Sequence, residues 1–398
     1  MRFSDLKNLN LNKMKQKGLV LSRWFVGVLF VFSGFVKGID PAGFQYKLED
    51  YLEALHLQVL GFFVVPGSFL LPFAEFAIGI TLLTGILIRL STKLAFAFML
   101  FFTPLTFYLA LKNPVTDCGC FGDALVISNW QTFNKNIVLI ILVVILLINR
   151  KNLLFISAFK FRRIIFTIAL VSYFSLVYWS DIHEPLLDFR PYQVGVNITE
   201  GMSIPAGAPT DVYQNTYYYR NRHSNELKKF GDQNYPWQDT IQWKFESMDP
   251  PLLIKKGYRP SIHDFSIQTA DQQNVTDIYL KDSLFTFVVI AYDLEKSSSS
   301  KQYELNLLAK WAKQKGCRFI GLTSTSGAAL LKFQQEKVPA YEFLFADQTT
   351  LKTIIRSNPG LILLRNGTIL AKWAYADFPS PEKAEIIIGS EVNKKLNH

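Results

Sequence analysis

Apolar residues crowd the first 180 positions in runs too long for a globular core. Leu19–Val36 is broken only by Arg23 and Gly61–Ile88 only by Glu75, while Leu94–Leu111, Asn136–Asn149 and Ile164–Ser180 carry no charge. A helix that crosses the hydrocarbon core needs about 20 residues, with about 17 tolerated. All but Asn136–Asn149 meet that length, and that stretch does so by drawing on the polar residues ahead of it. The pattern predicts five spans.

After Ser180 the pattern changes. Residues 181–260 are rich in Tyr, Pro, Asn and Trp, as in Tyr217-Tyr-Tyr219 and Asn234-Tyr-Pro-Trp237. They read as an irregular or β-rich packing segment near the membrane surface, with an aromatic ligand groove as the second reading. From Ile262 strands and helices alternate. Short strands are predicted over His263–Ile267 and Asp277–Leu280, and a buried strand over Phe285–Ala291. A helix over Lys301–Lys315, a strand over Arg318–Thr323, a helix over Gly327–Lys337 and a strand over Glu342–Phe345 follow. A helix over Thr349–Ser357 leads to a hairpin of Gly360–Leu364 and Thr368–Ala374 closed by Asn366-Gly367. A helix over Pro381–Val392 completes the pattern.

With 398 residues, 49% hydrophobic and 19% charged, the chain is neither disordered nor one ordinary soluble domain. Its expected organisation is a four-helix membrane domain over 1–150, a fifth spanning helix with its flanks over 151–185, an aromatic-rich extracytoplasmic connector over 186–261 and an α/β domain over 262–398. The net charge of +10 is uneven: residues 1–180 hold 17 basic and 8 acidic side chains, residues 181–398 hold 25 and 24. The basicity therefore reads as topology signal and contact with the lipid bilayer. The second half has no surplus to track phosphates, so nucleic acid is not an expected partner.

Basic loops alternate with poor ones. Arg2, Lys7, Lys13, Lys15 and Lys17 precede the first span, Arg89 and Lys93 follow the second, and Arg150, Lys151, Lys160, Arg162 and Arg163 precede the fifth. The segments 38–60 and 112–135 hold two lysines or fewer each. Lys and Arg near span ends stay in the cytoplasm. The expected topology is a multi-pass inner-membrane protein with its N-terminus in the cytoplasm and its C-terminal domain in the periplasm. No A-x-A-like cleavage site follows the first span, so that span reads as an uncleaved anchor.

Two charges interrupt the spans. A carboxylate at Glu75 is costly in hydrocarbon and should face the bundle interior with a partner. Arg23 is the expected one, across a depth difference of about 10 Å that two long side chains shorten by leaning. The other reading has Arg23 snorkelling to headgroups and Glu75 neutral.

Cys118 and Cys120 are two of only three cysteines, one residue apart in a loop that the topology puts in an oxidising compartment. Their Cα atoms can approach to disulfide range, and Gly119 gives the backbone freedom a tight ring requires. Strained, exposed disulfides are the reducible ones. A redox pair, a static bridge, and a metal site or free thiols all stay open, although two thiolates fall short of four ligands. His56, His183, His223 and His263 have no metal spacing, and no phosphate loop or hydrolase motif occurs. Cys317, opening a predicted strand, reads as a small buried hydrophobe.

The stretch Arg23-Trp-Phe-Val-Gly-Val-Leu-Phe-Val-Phe-Ser-Gly-Phe-Val-Lys37, then Asp40-Pro-Ala-Gly-Phe44, then Glu75-Phe-Ala-Ile-Gly79 with Gly85 and Arg89, resembles the DoxX family over roughly residues 19–150. The resemblance implies a four-helix membrane bundle, to which this chain adds a fifth span. Asn113-Pro-Val-Thr-Asp-Cys118-Gly-Cys120-Phe-Gly-Asp123 resembles the Cys-x-Cys-Phe-Gly element of MauE-like proteins. That likeness implies methylamine utilisation, maturation of disulfide-rich partners, and a thiol–disulfide role for Cys118 and Cys120.

Residues 262–395 resemble the thioredoxin fold in its membrane-tethered TlpA-like branch, with Asn358-Pro359-Gly360 where that family has its cis-proline. Where the family has Trp-Cys-x-x-Cys, this chain has Tyr292-Asp-Leu-Glu-Lys296 and then Ser297–Ser300. Asp293 and Glu295 occupy that corner, where a helix start favours carboxylates. The surface beside Pro359 is left for docking a partner.

Two function classes remain. One is extracytoplasmic thiol–disulfide exchange through Cys118 and Cys120 with a partner thiol or a membrane quinone. The other is a non-catalytic adaptor whose thioredoxin-like domain docks a protein. No motif implies a cofactor, and a quinone would demand a polar contact inside the bundle.

Overall fold

The computed structural model describes residues 3–115, 117–151, 153 and 158–396. Arg2, on which the topology reading draws, lies outside them. Helix α1 (Phe3–Gly38) is followed by α2 (Pro41–Ala54), a 3-10 turn over Gln58–Phe63, α3 (Val64–Thr84), α4 (Ile88–Lys112), α5 (Asn129–Ile148) and α6 (Phe159–Ile182). Among the described residues five stretches are long and apolar enough to cross a membrane: Met14–Gly38, Gln58–Thr84, Ile88–Lys112, Asn129–Ile148 and Phe159–Ile182. Large apolar side chains such as Leu21, Leu70, Phe101 and Ile168 are exposed on their outer faces, the surface that hydrocarbon covers.

The doubtful fourth span gains its length at its N-terminus. Helix α5 begins at Asn129 because Ser128 and Gln131 form a capping box there. Its polar first turns stay inside the bundle because they are hydrogen-bonded: Asn129 Nδ2 donates to Asn113 Oδ1 (2.9 Å), and Asn136 Nδ2 to Thr106 Oγ1 on α4 (3.1 Å).

Helices α1 and α3 cross closely at Gly34. A Cβ on Gly34 would collide with the backbone of Pro72 and Phe76, so this contact admits only glycine. It sets the register between the helices and brings the next turn of α1, carrying Lys37, against Glu75. Tyr173 of α6 stacks on Phe76 with ring centroids 4.4 Å apart, which holds the fifth span to the same helix.

Residues Asn197–Phe265 form a compact unit of their own. It contains the short helix α7 (Ile198–Met202), β1 (Val212–Gln214) paired with β5 (Leu252–Lys255), and a three-stranded sheet of β2 (Thr216–Asn221) between β3 (Leu227–Gly231) and β4 (Trp243–Met248). The aromatic residues do pack on one another: Tyr219 meets Phe230 and Phe245 edge-on, and Phe230 meets Trp243.

The rest of the chain builds a five-stranded sheet. Its elements are α8 (Thr276–Leu280), β6 (Thr286–Ile290), α9 (Gln302–Gln314), β7 (Arg318–Thr323), α10 (Gly327–Lys337), β8 (Glu342–Phe345), α11 (Gln348–Ile354), β9 (Gly360–Arg365), β10 (Thr368–Ala374) and α12 (Pro381–Leu396). The strand order is β10-β9-β6-β7-β8, with β6, β7 and β8 parallel and β9 and β10 antiparallel. Every residue of β6 is buried, as expected for a central strand covered on both faces. Phe287, Val289, Leu305, Leu308, Leu361 and Leu363 belong to the core between sheet and helices, and the half-buried Cys317 packs against it. The crossover order, the closing hairpin and a cis peptide bond at Asn358–Pro359 make this a thioredoxin-like domain.

Three local expectations need correction. Asp277–Leu280 lies in α8, because Thr276 and Leu280 are buried one helical turn apart, a spacing four residues cannot distinguish from a strand. His263–Ile267 forms no strand; isolated bridges join Gln268 to Asn274 and Phe345. Asp293 and Glu295 do not start a helix, since α9 begins only at Gln302.

Candidate functional site: a thiol pair between two cavities

The loop joining α4 to α5 carries Cys118 and Cys120, both half-buried free thiols with sulfurs 3.0 Å apart. Gly119 between them has φ +58°, the left-handed region that favours glycine, and the fold of the loop depends on it. Three helices pin the segment. Ser33 Oγ of α1 donates to the Cys120 carbonyl (2.8 Å), and the Tyr51 hydroxyl of α2 donates to the Cys118 carbonyl. Asn129 of α5 donates to the Val115 carbonyl (2.8 Å). Asp117 accepts from the Gly119 amide (2.8 Å) and pairs with Lys47 of α2 (3.1 Å).

The two sulfurs are not equivalent. As a thiolate Cys120 accepts the hydrogen bond of the Cys118 thiol, and that bond with the ammonium groups of Lys135 and Lys37 outweighs its burial and lowers its pKa. Donating that bond, and burial, push Cys118 up. A thiolate at this site therefore sits on Cys120. Lys135 approaches from α5, with Nζ 4.4 Å from the centroid of the Phe121 ring.

Lys37, and not Arg23, is the partner of Glu75: Nζ lies 2.6 Å from Oε1 and 2.5 Å from Oε2, with both side chains buried. Arg23 is buried about 20 Å further back along α1 at helical rise, too far for leaning to close. The Gly34 contact explains the outcome, because it seats position 75 against the outer end of α1. Reading the first span as ending at Val36 left Lys37 outside the bundle.

The thiol loop separates two cavities. On one side is an apolar cavity of about 530 Å³ among α1 to α5, walled by residues such as Leu52, Leu70 and Phe102 and reached by Cys118, Cys120, Lys37, Glu75 and Lys135. On the other is a polar cavity of about 270 Å³ lined by Asp40, Asp123, Arg190 and Arg356. Gly119 borders both.

Helix α2, which falls in a segment read from sequence as loop, forms part of both walls. Its start is a legible signal: Asp40 is the N-cap, accepting from the Gly43 amide (3.0 Å), and Pro41 occupies the first turn. Asp40 also receives Arg356 of the thioredoxin-like domain, with Nε 3.0 Å from Oδ1 and Nη2 2.7 Å from Oδ2, while Nη2 reaches Asp123 at 3.1 Å. Burial alone would raise the Asp40 carboxyl, but the Arg356 guanidinium outweighs it and holds the group below the usual carboxylate range.

Arg356 lies just before Pro359, so the thioredoxin-like site meets the membrane domain. Pro359 is itself buried. Tyr292, where a thioredoxin has its Trp-Cys-x-x-Cys, receives a hydrogen bond from Tyr46 of α2 (3.0 Å) and donates to the Arg356 carbonyl (3.2 Å). Lys352 Nζ stands 4.4 Å from the Tyr46 ring centroid. Asp293 caps its own turn, accepting from the amides of Glu295 (3.1 Å) and Lys296 (3.3 Å), and its carbonyl takes the Asn358 amide (2.8 Å). Glu295 is exposed.

The segment after α6 fixes the other edge of the domain. Lys372 of β10 lies 2.7 Å from Asp188, and the buried Arg190 binds Asp188 (2.6 Å) and Glu184 (2.8 Å).

Sequence reasoning found the thiols and Glu75 but missed Lys37, Lys135 and Tyr51 as parts of one site. Lys37 was visible only as the end of a span, and nothing local marks Lys135 or Tyr51.

Residues 15–149 match the family model described as "Methylamine utilisation protein MauE". No curated protein matches the chain. Among solved structures, a solution structure of a candidate protein disulfide isomerase from Bacteroides thetaiotaomicron is 18% identical over 34% of this chain and 87% of that one, with a TM-score of 0.24. Residues 15–149 are thus a MauE-family membrane domain, carried in one chain with a fifth apolar helix and a thioredoxin-like domain.

Proposed function

We propose that Cys118 and Cys120 form a dithiol–disulfide pair that exchanges with thiols of an extracytoplasmic protein. The protein sits in the inner membrane with its N-terminus in the cytoplasm, and the thiol loop and thioredoxin-like domain face the periplasm. The observation that carries this reading is the 3.0 Å approach of the two sulfurs in a cavity whose lining also includes Lys135 and Lys37. Thiol–disulfide exchange requires a stabilised leaving thiolate, and the sulfur with the lower pKa leaves faster. A partner thiolate therefore attacks Cys118 of the oxidised pair. The S–S bond breaks, Cys120 leaves as thiolate beside its lysines, and a partner–Cys118 mixed disulfide forms. A second partner thiol then displaces Cys118, which leaves an oxidised partner and a reduced pair.

The thioredoxin-like domain contributes placement. Its Arg356 holds Asp40 and Asp123 at the rim of the polar cavity, so a partner reaching the loop passes this domain. Of the corner's residues the exposed Glu295 is left for a partner, since Pro359 is buried and Asp293 caps its own turn. The resemblance of the Cys118-Gly-Cys120-Phe-Gly element to MauE-like proteins implies a disulfide-rich client.

The adaptor reading has one observation in its favour: Tyr292–Ser300 contains no thiol. Mixed-disulfide trapping separates the two. Cys120→Ser should accumulate a covalent partner on Cys118, and Cys118→Ser far less. Two permanently free thiols in the wild-type protein, with no trapped species in either variant, would leave only the adaptor.

A further inference from the structure

A reduced pair needs an oxidant, and the apolar cavity points to where that oxidant binds. Its volume, about 530 Å³, is that of a small-molecule site. Three features narrow the occupant. Its rim includes Phe63, Leu70 and Phe101, all exposed on the outer surface of the spans, so its solvent is hydrocarbon and its ligand is lipid-soluble. Its inner end is the thiol pair, so the ligand's reactive part can touch sulfur. That end also carries Lys135, for which no carboxylate lies at ion-pair distance among the described residues, leaving its ammonium free to donate to an oxygen of the ligand. Lys37, by contrast, is held by Glu75.

We infer that the cavity binds a membrane quinone, with its ring against Cys118 and Cys120, one carbonyl oxygen on Lys135 and its tail along the Leu52, Leu70 and Phe102 wall. The inference rests on the thiol-exchange reading and names its electron acceptor. The step balances: the two thiols lose two electrons and two protons as the Cys118–Cys120 bond forms, and the quinone gains both to become a quinol. The regenerated disulfide is then available to the protein partner at the loop, whose Gly119 borders the polar cavity. A carbonyl that is becoming a phenolate draws a charged hydrogen bond from Lys135, stronger than the neutral kind. A phospholipid acyl chain would fill the same wall and use neither the thiols nor the lysine.

The test uses the reduced full-length protein in nanodiscs, mixed without oxygen with decyl-ubiquinone while quinone absorbance is followed. One quinone should be reduced per thiol pair, and none by Cys118→Ser. Leu105 also lines the cavity, so Leu70→Trp and, separately, Leu105→Trp narrow it and should slow quinone reduction by at least about tenfold. Oxidation of the same pair by water-soluble glutathione disulfide should keep its rate in both variants, which also shows that they are folded. Normal oxidation by glutathione disulfide with quinone untouched would overturn the quinone and leave thiol exchange standing. Quinone reduced equally fast in both tryptophan variants, with only phospholipid retained by the protein, would overturn the cavity as the site. A pair oxidised by neither reagent would sink the exchange reading itself.

Discussion

The thiol loop and the thioredoxin-like corner are two regions with the geometry of a thiol site, and they are built in opposite ways. The corner keeps the scaffold: a buried central strand, the cis Asn358–Pro359 bond and a following helix. It has exchanged thiols for tyrosine, aspartate and serine, and its polar groups are spent on Tyr46, Asp40 and its own turn. Among the described residues of the loop no α-helix starts, and only a 3-10 turn over Gly122–Ala124 follows Cys120. Its thiolate stabilisation comes first from the hydrogen bond between the sulfurs and then from lysines on two neighbouring helices, α1 and α5. A low-pKa thiol thus requires a positive, partly buried setting and not a particular fold.

The sharpest way to break the comparison is to remove thiols on each side. Cys118→Ser and Cys120→Ser should each abolish disulfide exchange by the full-length protein, whereas Cys317→Ser should leave it unchanged, because that residue packs against the sheet core. Turnover that survived the first two changes and vanished with the third would move the chemistry to the thioredoxin-like domain.

Next in size is the buried ion pair. Glu75→Gln leaves the Lys37 ammonium without its counter-charge, a loss of roughly 3 to 5 kcal/mol in soluble proteins and less where water defects soften it. Thermal unfolding should show a lower midpoint. The double change Lys37→Met with Glu75→Leu should recover most of that stability, since it strands no charge. Equal midpoints for wild type and Glu75→Gln would show that the pair contributes nothing to folding.

A smaller effect tests the asymmetry of the sulfurs. In the reduced protein Cys120 should react with iodoacetamide at a pH where Cys118 does not, because its thiolate forms first on raising the pH. Lys135→Met should move the Cys120 profile upward by about 1 pH unit. An unmoved profile would mean that Lys135 does not act on the sulfur.

The last change concerns the clamp between the two regions. Arg356→Ala removes charge-assisted bonds to Asp40 and Asp123 and should cost about 1.5 to 3 kcal/mol. In the wild type the Asp40 carboxyl has its pKa lowered on folding, so the stability it contributes is complete above the unfolded value near 4 and is lost as the pH falls below it. Arg356→Ala should flatten that acid limb in a melting series. An unchanged acid limb would detach Asp40 from this role.

Much of the fold was legible in the chain. Length and hydropathy are enough for spans, because a bilayer has a fixed thickness, and β7, α10, β8 and β10 lie where alternation and turn residues put them. What failed was short or three-dimensional. Asp277–Leu280 is too brief for its period to be read, and α2 was hidden in a polar segment although Asp40 and Pro41 announce its start. For the site, two cysteines in 398 residues separated by one glycine stand out by themselves. Lysines do not, since a lysine at a span end ordinarily signals topology.

The sequence by itself determined the five apolar helices, the succession of strands and helices along the second half, the thiol spacing and the absence of thiols from the thioredoxin corner. Each depends on composition or on neighbours along the chain. Only the tertiary structure decided that Glu75 meets Lys37, that Lys135 faces Cys120, and that the loop divides an apolar cavity from a polar one. Those pairings join residues far apart in sequence, and they follow from how closely helices pack: the missing side chain at Gly34 sets the α1–α3 register, which no local pattern encodes.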